Sequence, residues 1–184
     1  MKGNKIKSFM QLAGQPTAER LHTSNETQRK LAAQLLLSET LEYVIHGLGV
    51  TPEFNGTKIT APNDVEYSLS ETAPDPKEMV DGLADVAYTM YWNALALGIP
   101  LEEAFELVCD NNLEKFVRLD KQQFKAGKLE AEQWHCDKNI TWPKEVRSVE
   151  ALQIQGEMFA VGKDASGKVR KPSSYESVDL SGLL

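Results

Sequence analysis

The sequence has little cysteine, no long apolar run and no excess of basic residues. Its two cysteines, Cys109 and Cys136, are too few for a disulfide framework and lack the C-x-x-C spacing of a metal site. No stretch approaches the roughly 20 apolar residues of a membrane span, and the basic start MKGNKIKSFM lacks a signal peptide's apolar segment. The net charge of −7 argues against non-specific nucleic-acid binding. We therefore predict a cytoplasmic protein with neither a nucleic-acid nor a membrane partner.

Turn and capping signals divide the remaining sequence into predicted elements. Glycines and prolines end the apolar, helix-like segments, and Asp75-Pro76 is a favourable helix start. These signals predict helices at about residues 5–14, 25–46, 75–97 and 100–118. Residues 49–74 carry turn signals that are compatible with a short β-hairpin. The segment after residue 120 is polar and irregular, and the tail from Val161 is predicted to be an extended or hairpin arm.

One acidic pair lies on the second predicted helix. Glu39 and Glu42 are three residues apart, so they share a helix face. On a helical wheel Glu42 falls in the middle of an apolar arc and Glu39 lies at its edge. The arc consists of Leu31, Leu35, Leu41 and Ile45. A half-buried carboxylate needs a partner, which is either a bound cation or a Lys or Arg from elsewhere in the molecule.

A second set of acids lies on the third predicted helix. Glu78, Asp81 and Asp85 fall within an arc of roughly 60° on a helix that is otherwise strongly apolar. Stacked like charges repel each other, and a cation between them removes the repulsion. Glu78 has a structural alternative, because Asp75-x-x-Glu78 fits a capping box. Asp81 and Asp85 fit either a cation site or a solvated surface.

The two acidic faces together offer only oxygen ligands, in the patterns E-x-x-E and E-x-x-D. Such ligands suit Mg²⁺ or Mn²⁺ and not Zn²⁺. A cluster of these ions can bind phosphate oxygens, orient a water molecule and stabilise a leaving group. The sequence has no G-x-x-x-x-G-K-[ST] loop, which excludes a P-loop enzyme. The acidic faces therefore predict metal-dependent chemistry on phosphate groups.

Five ordered blocks of the sequence carry a resemblance to a known family. The most specific block is DGLADVAYTMYWNALALGIPLEEAF at residues 81–105, and a second is LLLSETLEYV at residues 35–44. The other blocks are Phe9-Met10 with Gly14-Gln15, Val108 with Asn112 and Lys115, and Gly167-Lys168-Val169 with Lys171-Pro172 and Tyr175. Together they resemble the MazG-like all-α nucleoside triphosphate pyrophosphohydrolases, whose relatives include the dimeric dUTPases and phosphoribosyl-ATP pyrophosphohydrolase, and LLLSETLEYV resembles that family's first metal helix. The resemblance covers most of residues 5–118 and the tail, and its branch contains many bacterial and phage proteins.

The resemblance implies hydrolysis of a (d)NTP to the monophosphate and pyrophosphate with Mg²⁺, for which Mn²⁺ substitutes, and more than one ion per site. It implies an all-α helix bundle completed by homodimer or homotetramer formation, with an extended C-terminal arm. The chain would be a single domain over residues 1–184, with a helical core at about 5–118 and a polar extension and arm at 119–184.

The resemblance also implies roles for individual residues. The implied metal ligands are Glu39, Glu42, Glu78 and Asp81, and Asp85 is a further ligand or a nearby acid. Glu39, Glu42 and Asp85 are the candidate catalytic residues, and either Glu39 or Asp85 would orient the water. The implied substrate-binding residues are Gln15, Asn112, Lys115, Lys168, Lys171 and Tyr175.

The sequence departs from the family pattern in three places. Ser38 stands where many relatives have Glu, Trp92-Asn93 stands where relatives have Gly and a small residue, and residues 119–160 form a longer segment. Trp92 is seven residues beyond Asp85, so it projects on the acidic stripe. We predict that Trp92 either stacks on the nucleobase or packs against another subunit.

Other functions compete with a general pyrophosphohydrolase. A phage-type enzyme specialised for one dNTP, either dUTP or a purine dNTP such as dGTP, fits the same motifs. A non-catalytic helical dimerisation protein would carry the acids as solvated residues. Glu132-x-x-His135 has the spacing of half a di-iron site, but that design needs two such pairs and the sequence has one.

Overall fold

The computed structural model describes residues 3–136, 138–154 and 156–184. Its α-helices are α1 (Asn4–Leu12), α2 (Glu26–Glu42), α3 (Pro76–Leu97) and α4 (Leu101–Leu113). Its strands are β1 (Glu53–Phe54), β2 (Thr57–Lys58), β3 (Val117–Leu119), β4 (Gly127–Lys128), β5 (Val146–Ile154) and β6 (Glu157–Asp164). The helices come first along the chain, and the longer strands follow them.

The fold is mixed α/β, so the prediction of an all-α bundle is wrong. The C-terminal part, which was predicted to be a polar extension and an arm, contains a four-stranded antiparallel sheet in the order β3-β6-β5-β4. Its centre is the β5–β6 pair, which runs from Val146 opposite Asp164 to Ile154 opposite Glu157. Small and β-branched apolar residues at every second position, such as Val149 and Ala151, allow one face of this pair to be buried.

The sheet has a core of its own. Val149, Ala151 and Ala160 are completely buried, and the segment between β3 and β5 covers them with Phe124, Leu129, Cys136 and Ile140. Trp134 and Trp142 pack against this core and are tied together, because the Trp142 indole N–H donates to the Trp134 carbonyl at 2.9 Å. Although the sequence between residues 120 and 145 is polar and irregular, its apolar side chains have a structural role, because they cover the sheet.

Local signals set the helix boundaries where the structure agrees with them. The Asn25 side chain accepts a hydrogen bond from the Gln28 N–H at 2.9 Å and caps α2. α2 ends at Glu42 and continues into a π-helical turn, Tyr43–Gly47. The hairpin between residues 49 and 74 is present as β1–β2, and its turn residues Asn55 and Gly56 have positive φ.

The fourth helix is shorter than predicted. It ends at Leu113, and residues 117–119 form β3, which pairs with β6 through Arg118 opposite Phe159. The predicted extension to Arg118 is wrong because this segment gains ladder hydrogen bonds and burial from a strand that lies far along the chain.

The chain divides into two compact units. The first contains the residues up to Glu19 and those from Ala87 to Leu184, and the second contains Arg20–Val86. In the first unit α1 contacts α4, and Phe9 and Phe116 meet edge to face at 5.1 Å beside buried Val161. In the second unit α2 packs against the short turn Pro62–Asp64. Leu41 is the one buried hydrophobic side chain among the described residues of the second unit.

Helix α3 exposes apolar side chains along almost its whole length. Ala94 is its one buried residue among those described. Its exposed large apolar residues are Met79, Val80, Leu83, Val86, Tyr88, Met90, Tyr91, Trp92, Leu95 and Leu97. A helix that is apolar on all sides is normally covered by other protein. In the described part of the chain, no helix combines the length and the apolar character needed to cross a membrane.

Candidate functional site

The structure places the five predicted acids on two helices of one unit. Glu39 and Glu42 lie on α2, and Glu78, Asp81 and Asp85 lie on the part of α3 that belongs to the second unit. All five side chains are exposed. Within the described part of the chain, none of them forms an ion pair with Lys or Arg. Their exposure leaves the carboxylate oxygens accessible to an external ligand.

The same acids do not form a complete metal site within one chain. No group of three or more His, Cys, Asp or Glu side chains that could hold a metal is found among the described residues, and this includes Glu132 and His135. Glu42 was expected to be half-buried, but it is exposed, and its neighbour Leu41 is buried in its place. The oxygen ligands suit Mg²⁺ in type, but the arrangement in a single chain does not fit a bound ion.

The hydrogen bonds at the start of α3 show whether Glu78 takes part in a capping box, which was the alternative to a role as metal ligand. Asp75 Oδ1 accepts a hydrogen bond from the Lys77 N–H at 2.8 Å, so Asp75 contributes to the helix cap. Among the described residues, the Glu78 carboxylate accepts no hydrogen bond from the Asp75 backbone. Asp75 caps the helix at the Lys77 N–H, so the reciprocal capping box predicted between Asp75 and Glu78 is not formed among the described residues, and Glu78 stays available for another role.

Four of the predicted substrate-binding residues meet at the end of α4, in the first unit. Lys171 Nζ lies 4.8 Å from the centre of the Tyr175 ring, and Lys115 Nζ lies 5.9 Å from it. Lys115 Nζ also donates to Asn112 Oδ1. These contacts between two ammonium groups and an aromatic ring are favourable cation–π interactions. We call Asn112, Lys115, Lys171 and Tyr175 the arm cluster.

The arm cluster is fixed to α4 through a residue that the sequence analysis missed. The Tyr175 hydroxyl donates to Asn111 Oδ1, and Asn111 Nδ2 donates to the Glu176 carbonyl at 2.8 Å. Burial, and then the negative charge of Glu114, raises the pKa of Tyr175, so the hydroxyl keeps its proton at neutral pH. Asn111 and Lys115 are four residues apart, and this helical spacing is the signal that would have identified Asn111.

The cluster presents positive charge beside an apolar groove. Lys115 Nζ also lies 5.7 Å from the Phe9 ring, and Phe9, Ile6 and Cys109 line a groove of about 140 Å³ between α1 and α4. Two ammonium groups held by an aromatic ring are suited to binding phosphate oxygens as point charges.

The other predicted contacts are not part of the arm cluster. Lys168 lies at the turn after β6, where its backbone N–H donates to Asp164 Oδ1 at 3.0 Å. Gln15 follows α1, and its backbone N–H donates to the Met10 carbonyl. Trp92 lies on α3 with 60% of its surface exposed. Both roles predicted for Trp92, nucleobase stacking and subunit packing, need an exposed side chain of this kind.

Asp164 organises the turn that begins the arm. Its Oδ1 accepts from the Ser166 hydroxyl at 2.6 Å, and its Oδ2 pairs with the Arg170 guanidinium at 2.6 Å. Burial alone would raise the pKa of Asp164, but the hydrogen bonds from Ser166, from the Lys168 N–H and from Arg170 outweigh it and lower the pKa. The ionised carboxylate thus holds the chain between β6 and Lys171.

Comparison with known proteins gives no relative for this chain. No family model, no curated protein and no solved structure matches it. The resemblance to the pyrophosphohydrolases therefore depends on the sequence motifs alone, and the function has to be inferred from the residues described above.

Proposed function

We propose that the chain is a metal-dependent nucleoside triphosphate pyrophosphohydrolase, which converts a (d)NTP and water into a (d)NMP and pyrophosphate. The observation that carries this proposal is the set of five exposed acids on two helices of one unit, none of which forms an ion pair among the described residues. Some acids of the other unit do form ion pairs: Lys5 binds Glu106 and Asp110 at 2.7 Å, and Lys163 binds Glu150 at 3.0 Å. The acids of α2 and α3 have no such partner in the described part of the chain, which leaves their oxygens available to an external cation.

The proposed reaction breaks the bond between the α-phosphorus and the oxygen that bridges to the β-phosphorus. A water oxygen forms the new bond to the α-phosphorus, and pyrophosphate leaves with the bridging oxygen. Glu39 or Asp85 would accept the proton of the attacking water. The resemblance implies that Lys115, Lys168 and Lys171 bind phosphate oxygens and stabilise their negative charge.

A second copy of the chain is part of this proposal. Helix α3 exposes ten large apolar side chains, and exposed apolar patches above a few hundred Å² mark interaction surfaces. Stable interfaces bury about 800 Å² on each partner, which a 22-residue helix with this composition can supply together with its neighbours. Because the acids among the described residues of one chain do not form a metal site, we propose that association into a homodimer or homotetramer completes the site, with Mg²⁺ or Mn²⁺ as cofactor.

The second copy is tested by sedimentation at several protein concentrations. Leu83, which is 62% exposed on α3, is replaced by Glu, and Leu21, which is 59% exposed outside the helices, is replaced by Glu as the matched control. We expect the wild type and Leu21→Glu to self-associate and Leu83→Glu to be monomeric, because a charge at an apolar interface is costly. A monomeric wild type at all concentrations would refute this part of the proposal.

The activity is tested with a panel of NTPs and dNTPs in the presence of Mg²⁺ or Mn²⁺. Chromatography should show monophosphate and pyrophosphate as the first products. Glu42→Gln and Asp81→Asn should abolish turnover while preserving the fold, and Glu53→Gln, an exposed acid on β1, serves as the control. Diphosphate and orthophosphate as first products, or full activity in either acid variant, would exclude the proposed reaction.

A non-catalytic dimerisation protein is the second candidate. Two observations favour it: one chain gathers no metal-binding group among its described residues, and α3 is an exposed apolar surface. It predicts self-association without any Mn²⁺-dependent rise in melting temperature. A rise in melting temperature with Mn²⁺ that is lost in Glu42→Gln and Asp81→Asn would favour the enzyme.

We also propose that the protein works in the cytoplasm. Cys109 and Cys136 are both buried and form no disulfide among the described residues, and burial raises the pKa of the Cys109 thiol, so it stays protonated. Free thiols persist in a reducing compartment.

A further inference from the structure

A half-open groove lies beside α2 in the second unit. Its volume is about 240 Å³, and it is lined by Lys30, Gln34, Ser38, Pro62, Asn63, Val65 and Tyr67. One wall is the face of α2, and the other is the segment that contains the turn Pro62–Asp64, which packs on α2. No role has been assigned to this groove by the motifs or by the proposed reaction.

The wall opposite α2 is held in a defined conformation. Asp64 Oδ2 accepts hydrogen bonds from the Thr60 N–H and the Ala61 N–H, both at 2.8 Å, and from the Thr60 hydroxyl at 3.1 Å. The two backbone hydrogen bonds, followed by that from the Thr60 hydroxyl, lower the pKa of Asp64, so the carboxylate stays ionised and the turn stays formed near neutral pH. Asn63 is thereby presented to the groove by a fixed turn.

Several polar groups that line the groove can form further hydrogen bonds. The Tyr67 hydroxyl is buried and has no hydrogen-bond partner. In the described part of the chain, the side chains of Lys30, Gln34 and Asn63 also form no hydrogen bond or ion pair. A buried polar group without a partner destabilises a protein, so the Tyr67 hydroxyl calls for an explanation. The side chains of Lys30, Gln34 and Asn63 are exposed, so a ligand in the groove could reach them.

The groove adjoins the acidic pair of α2. Lys30, Gln34, Ser38 and Glu42 follow one another at intervals of four residues, so they form one continuous row on the helix surface. With a rise of 1.5 Å per residue, Gln34 is about 12 Å from Glu42 along the helix axis. A nucleotide whose α-phosphate lies at the acids would reach the groove with its base.

We infer that this groove binds the nucleobase of the substrate and favours bases that carry carbonyl oxygens, such as guanine and uracil, over adenine. The inference rests on the proposed function. Lysine provides three donors and no acceptor, and each of the two side-chain amides adds two donors and one acceptor oxygen. A groove with this excess of donors is complementary to acceptor oxygens on the base, and Pro62 and Val65 provide the apolar contact for the ring.

The test uses dGMP, dUMP, dAMP and inorganic phosphate as probes of equilibrium binding to the whole chain, followed by NMR of the side-chain amides. We expect dGMP or dUMP to shift the amide signals of Gln34 and Asn63 and to bind more tightly than dAMP. Gln34→Met should reduce that preference about five- to tenfold, as expected for a lost hydrogen bond. Gln123→Met, an exposed glutamine in the loop after β3, is the matched control and should leave the preference unchanged.

Several outcomes would overturn the inference. Equal binding of all three nucleotides, binding of inorganic phosphate alone, or no binding at the amides of Gln34 and Asn63 would each do so. If the base preference is found but no triphosphate is hydrolysed, the groove assignment stands and the proposed reaction is wrong.

Discussion

The sheet and helix α3 use apolar side chains in opposite ways. Val149 in β5 is fully buried within the chain, whereas Leu95 in α3 is 85% exposed. The sheet covers its apolar face with its own segment 120–142, and α3 has no comparable cover in the described part of the chain. The sheet is therefore complete as a folded element, whereas the proposed second copy of the chain would cover α3. Stability and self-association should consequently map to different parts of the protein.

The largest expected effect is on the core beside the sheet. Phe116→Ala should lower the free energy of unfolding by about 3–5 kcal/mol, because it removes a buried ring that packs edge to face on Phe9. Urea denaturation should show this loss at every protein concentration. Leu95→Ala should show no loss in dilute solution and a measurable loss only where the protein self-associates.

The proposed difference between the sheet and α3 is wrong if Phe116→Ala and Leu95→Ala depend on protein concentration in the same way. A concentration-dependent loss in Phe116→Ala would place Phe116 in an interface between copies. A full loss for Leu95→Ala in dilute solution would mean that α3 is covered within the chain.

The helices were predictable because their signals are local. Asp75-Pro76 at one end and Gly98 at the other predicted α3, which runs from Pro76 to Leu97. The sheet was not predictable, because β3 pairs with a strand about forty residues later and short apolar runs do not distinguish strand from helix. From local sequence, residues 117–119 are predicted to be the end of a helix, and only the pairing of Arg118 with Phe159 identifies them as a strand.

For the candidate site, as for the fold, only the features set by local sequence were predictable. Helical spacing places Glu39 with Glu42, and Asp81 with Asp85, on shared faces, and the structure has these residues in helices. Whether two faces approach each other depends on tertiary packing, and helical spacing carries no information about that. The resemblance implied a substrate-binding role for Lys115, Lys171 and Tyr175 one by one, whereas their contact within one chain and the anchoring role of Asn111 required coordinates.

The next largest effect tests how tightly the sheet is packed. A methyl group on Gly162 would lie 2.4 Å from the Trp142 ring, which is far closer than carbon atoms approach. Gly162→Ala should therefore destabilise the protein by about 1–3 kcal/mol through overpacking. Thermal unfolding would measure the loss, and the double variant Gly162→Ala with Trp142→Leu should recover part of it. An unchanged melting temperature would show that the sheet cover is loose.

A smaller effect concerns the charge that holds the arm to the sheet. The pKa of Asp164 is lowered from its ordinary value of 3.8 in the folded protein. A depressed folded pKa stabilises the protein above the unfolded value, and this contribution is lost as the pH falls through the folded value. The stability difference between wild type and Asp164→Asn should be about 1–2 kcal/mol at pH 7, allowing for the partial exposure of Arg170.

The pH dependence distinguishes the charge from the shape of the side chain. The difference between wild type and Asp164→Asn should shrink below pH 4 and vanish in stronger acid, where both side chains are neutral. A difference that is constant from pH 7 to pH 3 would mean that the ion pair with Arg170 contributes nothing.

The smallest effect has the opposite sign and lies on α3. Gly82 is inside the helix, and a methyl group there would meet no atom within 4 Å. Gly82→Ala should raise the free energy of unfolding by about 0.5–1 kcal/mol, because alanine loses less conformational entropy in a helix. Ala84→Gly, two residues further on, should lower it by the same amount.

Gly82 is three residues before Asp85 and four after Glu78, so it lies beside the acidic stripe. If that stripe borders the substrate, Gly82→Ala will lower kcat/KM while it raises the melting temperature, and Ala84→Gly will lower the melting temperature alone. If Gly82→Ala is stabilised and its kcat/KM is unchanged, the substrate does not lie against the helix surface beside Asp85.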